Sequence, residues 1–212
     1  MTHSKRGHTG LAVLLLVWGI AILAGTFYLM DYSGTPGTRG DAVEQWPTET
    51  TLERGPNEIS IVMFVHPQCP CTHSTLETLN RILAHTVADD VGLYFVFRIP
   101  PGRNVVWARS SLWQKARALP NAKIYFDMDG TETERFGART SGYIVAYDQS
   151  GHLRFCGGIT PARNHEGSSI GGDALAEVIS GKCHGETMMS AVFGCPLFGP
   201  DEVCHESAQC DK

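Results

Sequence analysis

The segment from Ile59 to Leu83 constrains the fold of this chain more than any other. It begins with an apolar run rich in β-branched residues, Ile59–Val65, which predicts a buried strand. A short turn then leads to Cys69-Pro70-Cys71, after which apolar residues recur at helical spacing, at Leu76, Leu79, Ile82 and Leu83. A strand, a tight turn and two cysteines at the start of an amphipathic helix form a pattern that favours a reactive thiol.

The position of the two cysteines predicts redox chemistry. Unpaired N–H groups and the positive end of the helix dipole stabilise a thiolate at a helix N-terminus, so the pKa of a cysteine there falls. Pro70 fits the first helical position, which makes Cys69 the predicted cap and attacking nucleophile. Cys71, in the first turn, would resolve a mixed disulfide formed at Cys69. The alternative is that both cysteines only pack in the core.

The N-terminal region predicts a membrane anchor. Residues 11–30 are almost entirely apolar and carry no charge, which is long enough to span a bilayer of about 30 Å. Lys5 and Arg6 precede this segment and Asp31 follows it, so we expect residues 1–10 in the cytoplasm and the remainder outside. An uncleaved signal-anchor is favoured over a cleaved signal peptide, whose apolar region is shorter. The predicted location is the inner membrane, single-pass, with a periplasmic C-terminal domain.

The rest of the chain predicts one α/β domain between two appendages. Residues 31–57 are rich in Gly, Thr, Pro and charge and predict a linker, 58–181 predict the domain, and 182–212 form a Cys-rich tail. Strands are predicted at 58–65, 91–98, 122–126, 143–147 and 152–156, and helices at 70–87, 104–119, 132–136 and 173–180. The net charge of −5, without a basic run outside the N-terminus, does not suggest nucleic-acid binding.

Two sets of motifs resemble known proteins. The run from Phe64 to Pro70 resembles the strand end and Cys-Pro segment of thioredoxin-like proteins, especially the membrane-anchored TlpA/ResA type. The order of predicted elements over 58–180 is also that of the thioredoxin fold, a mixed sheet flanked by helices. The motifs His-Pro-x-Cys-Pro-Cys-Thr, Phe-Gly-Ala-x-Thr-Ser-Gly, Gly-Gly-Ile-Thr and Phe-Gly-Cys-Pro-Leu together are similar to a small bacterial group called RedB.

The resemblance implies an activity and partners. It implies a thiol–disulfide oxidoreductase that needs no cofactor, with Cys69 as the attacking cysteine. It also implies a membrane electron donor and a protein substrate that has a disulfide or a copper site, such as apocytochrome c or a copper-site protein. Nothing in the sequence selects one substrate.

The chain departs from the family pattern at two places. It has Cys-x-Cys rather than Cys-x-x-Cys, with Thr72 where the second cysteine would stand, and Ser141-Gly142 where the family has a cis-proline. The absence of the proline leaves room for a metal ion beside Cys69. Thiolates and imidazoles together suit copper(I), so an alternative hypothesis is a copper(I)-binding assembly factor or chaperone. Its ligands would be Cys69, Cys71, His66 and His73.

The glycine-flanked segment 157–172 supplies further candidates. In a thioredoxin fold the end of the preceding strand lies near the active site, so Arg163, His165 and Glu166 are candidates to stabilise a thiolate or carry a proton. The alternative is an ordinary polar surface loop. A third functional hypothesis is a peroxidase-like thiol enzyme that uses Cys69 alone, with Thr72 and Arg163 near it.

Seven cysteines in an exported domain leave at least one unpaired. The simplest interpretation of the tail is two structural disulfides among its four cysteines, Cys183, Cys195, Cys204 and Cys210. A metal cluster is a second interpretation. A third is that Cys195, within Phe-Gly-Cys-Pro-Leu, resolves or relays electrons to Cys69. Cys156, on the last predicted strand, is the candidate for the unpaired cysteine.

Overall fold

The computed structural model describes residues 3–55, 58–86, 91–183 and 185–199, in two compact units. The first unit, Met1–Thr35, contains helix α1, His3–Gly34. Its stretch Gly10–Gly34 has a mean hydropathy of 2.3, so by length and composition it is able to cross a membrane. Large apolar side chains along it are exposed. The predicted apolar helix is therefore present, and it runs four residues past Met30.

The second unit, Pro36–Lys212, contains a sheet with helices packed against it. In chain order its elements are β1 Ile59–Val65, α2 Cys71–His85, β2 Val91–Ile99, α3 Val105–Ala108, α4 Ser111–Arg117, β3 Ala122–Met128, α5 Thr131–Arg135, β4 Tyr143–Tyr147, β5 Leu153–Gly157, α6 Ile170–Ile179 and β6 Met188–Met189.

The sheet has the mixed topology that the resemblance implies. The strand order is β3-β2-β1-β4-β5-β6. β1, β2 and β3 are parallel, β4 runs antiparallel to β1 and β5, and β6 is parallel to β5. The predicted thioredoxin-like fold class is confirmed. Because β1 lies between β2 and β4, the turn that follows Val65 lies near the middle of the sheet, at the end where the parallel strands have their carboxyl termini.

Alternate residues of β1 enter two apolar cores. Ile61, Met63 and Val65 face α2, α4 and α6, and all three are fully buried. Val62 and Phe64 face the opposite core, which includes residues from both ends of the second unit, among them Leu52, Val192, Leu197 and Phe198. A continuous apolar run is what a strand covered on both faces requires. β1 is therefore a rigid base for the turn that follows it.

The predicted linker differs from the structure in its described part. Trp46 packs edge-on against Phe136 and Tyr147, with ring centroids 5.3 Å apart in each case, and Leu52 is buried. The backbone N–H of Thr51 donates to Glu132 at 3.0 Å. Trp46 and Leu52 are enough to fix this polar, glycine-rich segment to the domain. The sequence did not predict this, because the segment contains few apolar residues.

Several predicted elements have different limits. The helix predicted at 104–119 is two helices, because the chain turns after the buried Ala108 and restarts at Ser111. The strand predicted to end at 126 continues to Met128, which pairs with Ile99. The last helix begins at Ile170 rather than 173, where the Ser169 hydroxyl accepts a hydrogen bond from the Gly172 N–H at 3.0 Å. That cap offsets the low helix propensity of adjacent glycines.

Candidate active site

Cys69 lies in the turn between the central strand and α2. Its backbone N–H donates to the His66 carbonyl at 3.0 Å, which closes the turn. Pro70 follows with helical angles, φ −66° and ψ −34°, and α2 begins at Cys71, one residue later than predicted. A proline needs no partner for a backbone N–H and is preset for this conformation. The Cys69 side chain is only 1% exposed.

Hydrogen bonds hold Cys69 as a thiolate. The largest contribution comes from the Cys195 thiol, and the Thr72 hydroxyl and backbone add to it. The Cys195 backbone N–H also donates to the Cys69 sulfur, at an N–S distance of 3.4 Å. Although burial opposes them, these donors lower the pKa of Cys69 from its ordinary value of 9.0 to about 4. Cys69 is therefore ionised at neutral pH, and its main hydrogen-bond donor is a cysteine distant in sequence rather than the start of α2.

The two neighbouring cysteines remain protonated. Burial raises the pKa of Cys71, the negative charge of Cys69 raises it further, and Arg163 opposes both. The hydrogen bond to Cys69, followed by burial, raises the pKa of Cys195. The site thus contains one thiolate beside two thiols, which is the arrangement that nucleophilic attack followed by resolution requires.

Cys195 reaches the site through strand-like pairing of the segment 192–197. Its carbonyl accepts a hydrogen bond from the Ser141 N–H at 2.8 Å, and the Leu197 N–H donates to Arg139 at 2.9 Å. Thr140 and Pro196 form an antiparallel bridge between these contacts. The segment is therefore fixed along the loop that precedes β4, rather than lying loosely over the cysteines.

Glycine is required beside Cys195. A Cβ added at Gly194 would stand 1.9 Å from the Ser141 carbonyl oxygen, which is backbone and unable to give way. On the other side of the segment, Arg163 donates to the Gly194 carbonyl. At its start, the Gly37 N–H donates to the Val192 carbonyl at 2.8 Å. Close contact on several sides sets the position of Cys195.

The cysteines outside the site are free thiols where the structure describes them. Cys183 is a free thiol, as is Cys195 within the site, and the two structural disulfides predicted among the four tail cysteines stay a prediction. Cys183 contacts the Glu186 carbonyl at 4.0 Å. Cys156 is buried on β5 as a free thiol. The remaining tail candidates, Cys204 and Cys210, lie outside the described residues.

Ser141 and Gly142 lie beside the dithiol, as predicted. The Ser141 and Thr72 hydroxyls are 2.7 Å apart and buried, and the His66 N–H donates to the Ser141 hydroxyl at 2.8 Å. Gly142 has φ +87°, and its N–H donates to the Phe64 carbonyl at 2.8 Å. Where the family has a proline, this chain therefore uses a serine hydroxyl to join the turn, α2 and the loop before β4.

The structure separates the three candidates of segment 157–172. Arg163 lies at the site, where its charge acts on Cys71 and its guanidinium holds Gly194. His165 is exposed, with Nδ1 2.7 Å from the Arg163 carbonyl oxygen. Glu166 pairs at 2.8 Å with Arg81, which stands about 15 Å along α2 from Cys71 at 1.5 Å per residue. The geometry therefore supports a site role for Arg163 alone.

The two histidines do not join the cysteines in a metal-binding group. The His66 ring packs edge-on against Trp107, with centroids 5.7 Å apart, and its Nδ1 accepts the Gln68 N–H at 3.2 Å. His73 Nε2 lies 3.3 Å from the Ser111 hydroxyl. Burial lowers the pKa of both imidazoles. Within the described ranges no three His, Cys, Asp or Glu residues are grouped to hold a metal, so the geometry adds no support to the copper(I) hypothesis.

Sequence reasoning missed one charged residue near the site. Arg98, at the end of β2, is 2% exposed, and its guanidinium lies 4.7 Å from the centre of the Phe198 ring. Its positive charge contributes to the lowered pKa of His66. The signal that could have identified Arg98 is that it is the one charged residue in the apolar run Val91–Ile99.

Comparison with known proteins shows similarity of fold. No protein-family model matches the sequence, and no curated protein is detectably similar to it. An uncharacterized conserved protein from Geobacillus kaustophilus matches with a TM-score of 0.53 and 14% identity, over 79% of this chain and 94% of that one. A hypothetical protein from Sinorhizobium meliloti 1021 matches with a TM-score of 0.50 and 18% identity, over 77% and 93%.

A third structure superposes less closely. It is a secreted disulfide oxidoreductase from Mycobacterium tuberculosis that is homologous to E. coli DsbE, with a TM-score of 0.42 and 18% identity. The match covers 59% of this chain and 83% of that one.

Proposed function

We propose that this protein is a thiol–disulfide oxidoreductase in which Cys69 attacks the disulfide of a protein substrate. The observation that carries the proposal is the environment of Cys69, a buried sulfur with a pKa of about 4 at the start of α2, in contact with further thiols. A structural cysteine needs no such set of donors. The Cys-Pro-Cys pair makes Cys71 the first candidate for the resolving residue.

The chemistry proceeds in two exchanges. The Cys69 thiolate attacks one sulfur of the substrate disulfide, the S–S bond breaks, and the other substrate sulfur leaves and takes a proton. A second thiol of the site, with Cys71 as the first candidate, then loses its proton and attacks Cys69, which releases the second substrate thiol. The substrate gains two electrons and the protein is left with a disulfide. Thiols of a membrane electron donor restore the reduced state.

The charge of the site favours this order of events. While Cys69 is a thiolate, its negative charge raises the pKa of Cys71. Forming the mixed disulfide removes that charge, and the positive charge of Arg163 then acts without opposition from Cys69. The second thiol is therefore activated once the first has reacted, which limits premature reaction of Cys71.

The N-terminal helix supports attachment to a membrane. Gly10–Gly34 meets the length and hydropathy of a membrane span, and Lys5 and Arg6 precede it. By the positive-inside rule the second unit lies on the outer face of the membrane, which in a bacterium is the periplasmic side of the inner membrane. This is the compartment in which disulfides form and must be reduced or exchanged.

The test is a single turnover with the full chain in detergent micelles. Reduced protein is mixed with one equivalent of a peptide disulfide, and released thiol is followed in time. We expect Cys69→Ser to abolish release, whereas Cys71→Ser retains the first exchange. Cys183→Ser, which alters a cysteine outside the site, is the matched control and keeps the full rate. Full thiol release by Cys69→Ser would refute the proposal.

One contact favours a second candidate, a thiol peroxidase. The hydrogen bond from Thr72 to the Cys69 sulfur places a hydroxyl where it can also bind a peroxide oxygen. In that reaction Cys69 attacks the terminal oxygen, the O–O bond breaks, and a sulfenic acid and an alcohol form. Peroxide consumption by reduced protein, lost in Cys69→Ser, would support it. The absence of consumption removes this candidate and leaves the disulfide activity in place.

A further inference from the structure

The proposed function leaves one close contact of Cys69 without a role. Cys195 directs two groups at the same sulfur, because its backbone N–H lies 3.4 Å from Cys69 Sγ and its thiol hydrogen-bonds to that sulfur. The two residues are 126 positions apart in sequence. Tertiary structure therefore places a thiol from outside α2 against the nucleophile.

The segment that carries Cys195 is built to keep it there. Ser141 and Leu197 fix the backbone on either side of Pro196, and Arg163 holds the Gly194 carbonyl. Gly194 has its Cβ position filled by the Ser141 carbonyl, so the close approach depends on glycine. Leu197 and Phe198 are buried in the core and anchor the end of the segment.

The other thiol is less well placed to form a stable disulfide with Cys69. Cys71 is separated from Cys69 by Pro70 alone, which has helical angles and a φ that its ring restricts. The Cys71 thiol also hydrogen-bonds to Cys69, but a disulfide between the two would close a ring of only three residues. A Cys69–Cys71 disulfide therefore distorts the first turn of α2, whereas Cys195 reaches Cys69 across the gap between two chain segments.

Exposure distinguishes the two resolving candidates as well. Cys69 and Cys71 are 1% and 7% exposed, and Cys195 is only partly buried, beside the exposed Pro196. An external thiol reaches a disulfide at the sulfur that solvent reaches. In a Cys69–Cys195 disulfide that sulfur belongs to Cys195, and Cys69, whose thiolate the site stabilises, is the leaving group.

We propose that Cys195 is a third redox-active cysteine, which resolves the mixed disulfide at Cys69 and carries the sulfur that the external reductant attacks. The Cys195 thiol loses its proton and attacks Cys69, the reduced substrate leaves as a thiol, and a Cys69–Cys195 disulfide remains. A dithiol reductant then attacks Cys195, Cys69 departs as a thiolate, and the second thiol of the reductant frees Cys195. This inference rests on the proposed attack by Cys69, and it gives the resolving step to Cys195 rather than to Cys71.

The test maps the disulfide after one turnover of the full-length protein. Free thiols are blocked with N-ethylmaleimide, and the chain is cleaved after glutamate, which separates peptide 59–77, with Cys69 and Cys71, from peptide 187–202, whose one cysteine is Cys195. We expect the two peptides to be linked in the wild type and in Cys71→Ser. A link confined to peptide 59–77, together with a Cys71→Ser protein that never forms the cross-link, would overturn the inference.

Turnover with a small dithiol reductant gives a second readout. We expect Cys195→Ser to lower steady-state turnover about tenfold relative to the rate of its own first exchange at Cys69, because the accessible sulfur is lost. Cys183→Ser again serves as the control and should turn over like the wild type. Unchanged turnover in Cys195→Ser contradicts the role of Cys195. Failure of the proposed function itself has a different signature, which is thiol release that is absent from the wild type or unaffected by Cys69→Ser.

Discussion

The start of α2 and the segment 192–197 bring a thiol to Cys69 by different means. On the α2 side, Pro70 and Cys71 follow Cys69 directly, and local helix geometry places them. On the other side, Cys195 is placed by backbone pairing with Thr140 and Ser141. The comparison shows that a reactive-thiol motif supplies half of this site, and a distant segment supplies the largest stabilisation of the thiolate.

The largest expected difference between the two sides concerns the pKa of Cys69. Cys195→Ala removes the thiol donor that lowers this pKa most, so we expect the pKa to rise from about 4 by more than about one unit. Thr72→Ala removes a smaller contribution on the α2 side and should raise it less. The measurement is the rate of Cys69 alkylation against pH. Equal shifts in the two variants would contradict the asymmetry.

The sign of the pH dependence follows from the same shift. Because the pKa of Cys69 is lowered, the reactive thiolate is present above about pH 4 and is lost only as the pH falls through that value. The first exchange with a disulfide should therefore keep its rate from neutral pH down to about pH 5, whereas an ordinary cysteine would slow about tenfold per pH unit. A rate that falls steadily below pH 8 would contradict a lowered pKa.

A smaller effect is expected when the distant segment is displaced without removing a thiol. Gly194→Ala puts a methyl group against the Ser141 carbonyl, so the segment must shift, and we expect formation of the Cys69–Cys195 cross-link to slow about tenfold. The wild-type cysteines all remain, and the attack by Cys69 on a substrate should continue. Gly19→Ala, in α1, meets no atom within 4 Å and is the control. Cross-linking at the wild-type rate in Gly194→Ala would show that the close approach is not needed.

The Ser141 hydroxyl forms the junction between the α2 side and the loop that pairs with segment 192–197. Its contribution to the stability of the fold can be measured. Ser141→Ala removes the hydroxyl that lies 2.7 Å from Thr72 and accepts the His66 N–H, and it leaves both groups without this partner. We expect the free energy of unfolding of the reduced second unit to fall by about 1–3 kcal/mol, the cost of unsatisfied buried polar groups. Denaturant unfolding followed by tryptophan fluorescence provides the value. A loss below about 0.5 kcal/mol would mean that the junction is unimportant.

The smallest expected effect is at Glu166. Its ion pair with Arg81 is about half exposed at both side chains, and pairs of this kind contribute about 0–1 kcal/mol. Glu166→Gln should leave both the first exchange and the turnover unchanged, whereas Arg163→Gln should slow resolution, since Arg163 acts on Cys71 and holds Gly194. Equal effects of the two substitutions would contradict the separation of these residues.

The α2 side could be predicted from the sequence because its signals are local. The apolar run Ile59–Val65, the proline and the helical spacing after Cys71 gave the strand, the turn and the helix within a residue or two of their limits. The alternation of predicted strands and helices along the chain, which ends in a hairpin, predicted the mixed sheet. Ser141 and Gly142 were also placed near Cys69, although that step depended on the resemblance to thioredoxin-like proteins.

The distant side was only partly predictable because its contacts are tertiary. The motif around Cys195 offered three roles, and pairing with the loop before β4 is what favours the redox role. Trp46 and Leu52 are isolated apolar residues in polar sequence, so their packing against the domain was not evident. Glu166 and His165 looked equivalent to Arg163 in sequence, and only the path of the chain separates them.

If the proposed exchange takes place, the docked segment 192–197 makes it selective. An incoming peptide that pairs with the Ser141 backbone and reaches the Cys69 sulfur must displace a strand-like segment of the same chain, which already contacts both. If that strand is released only a fraction of the time, the apparent affinity for every substrate is reduced by the same fraction. Small disulfides that offer few other contacts are thereby disfavoured, and a partner that adds its own binding surface gains access to the sulfur.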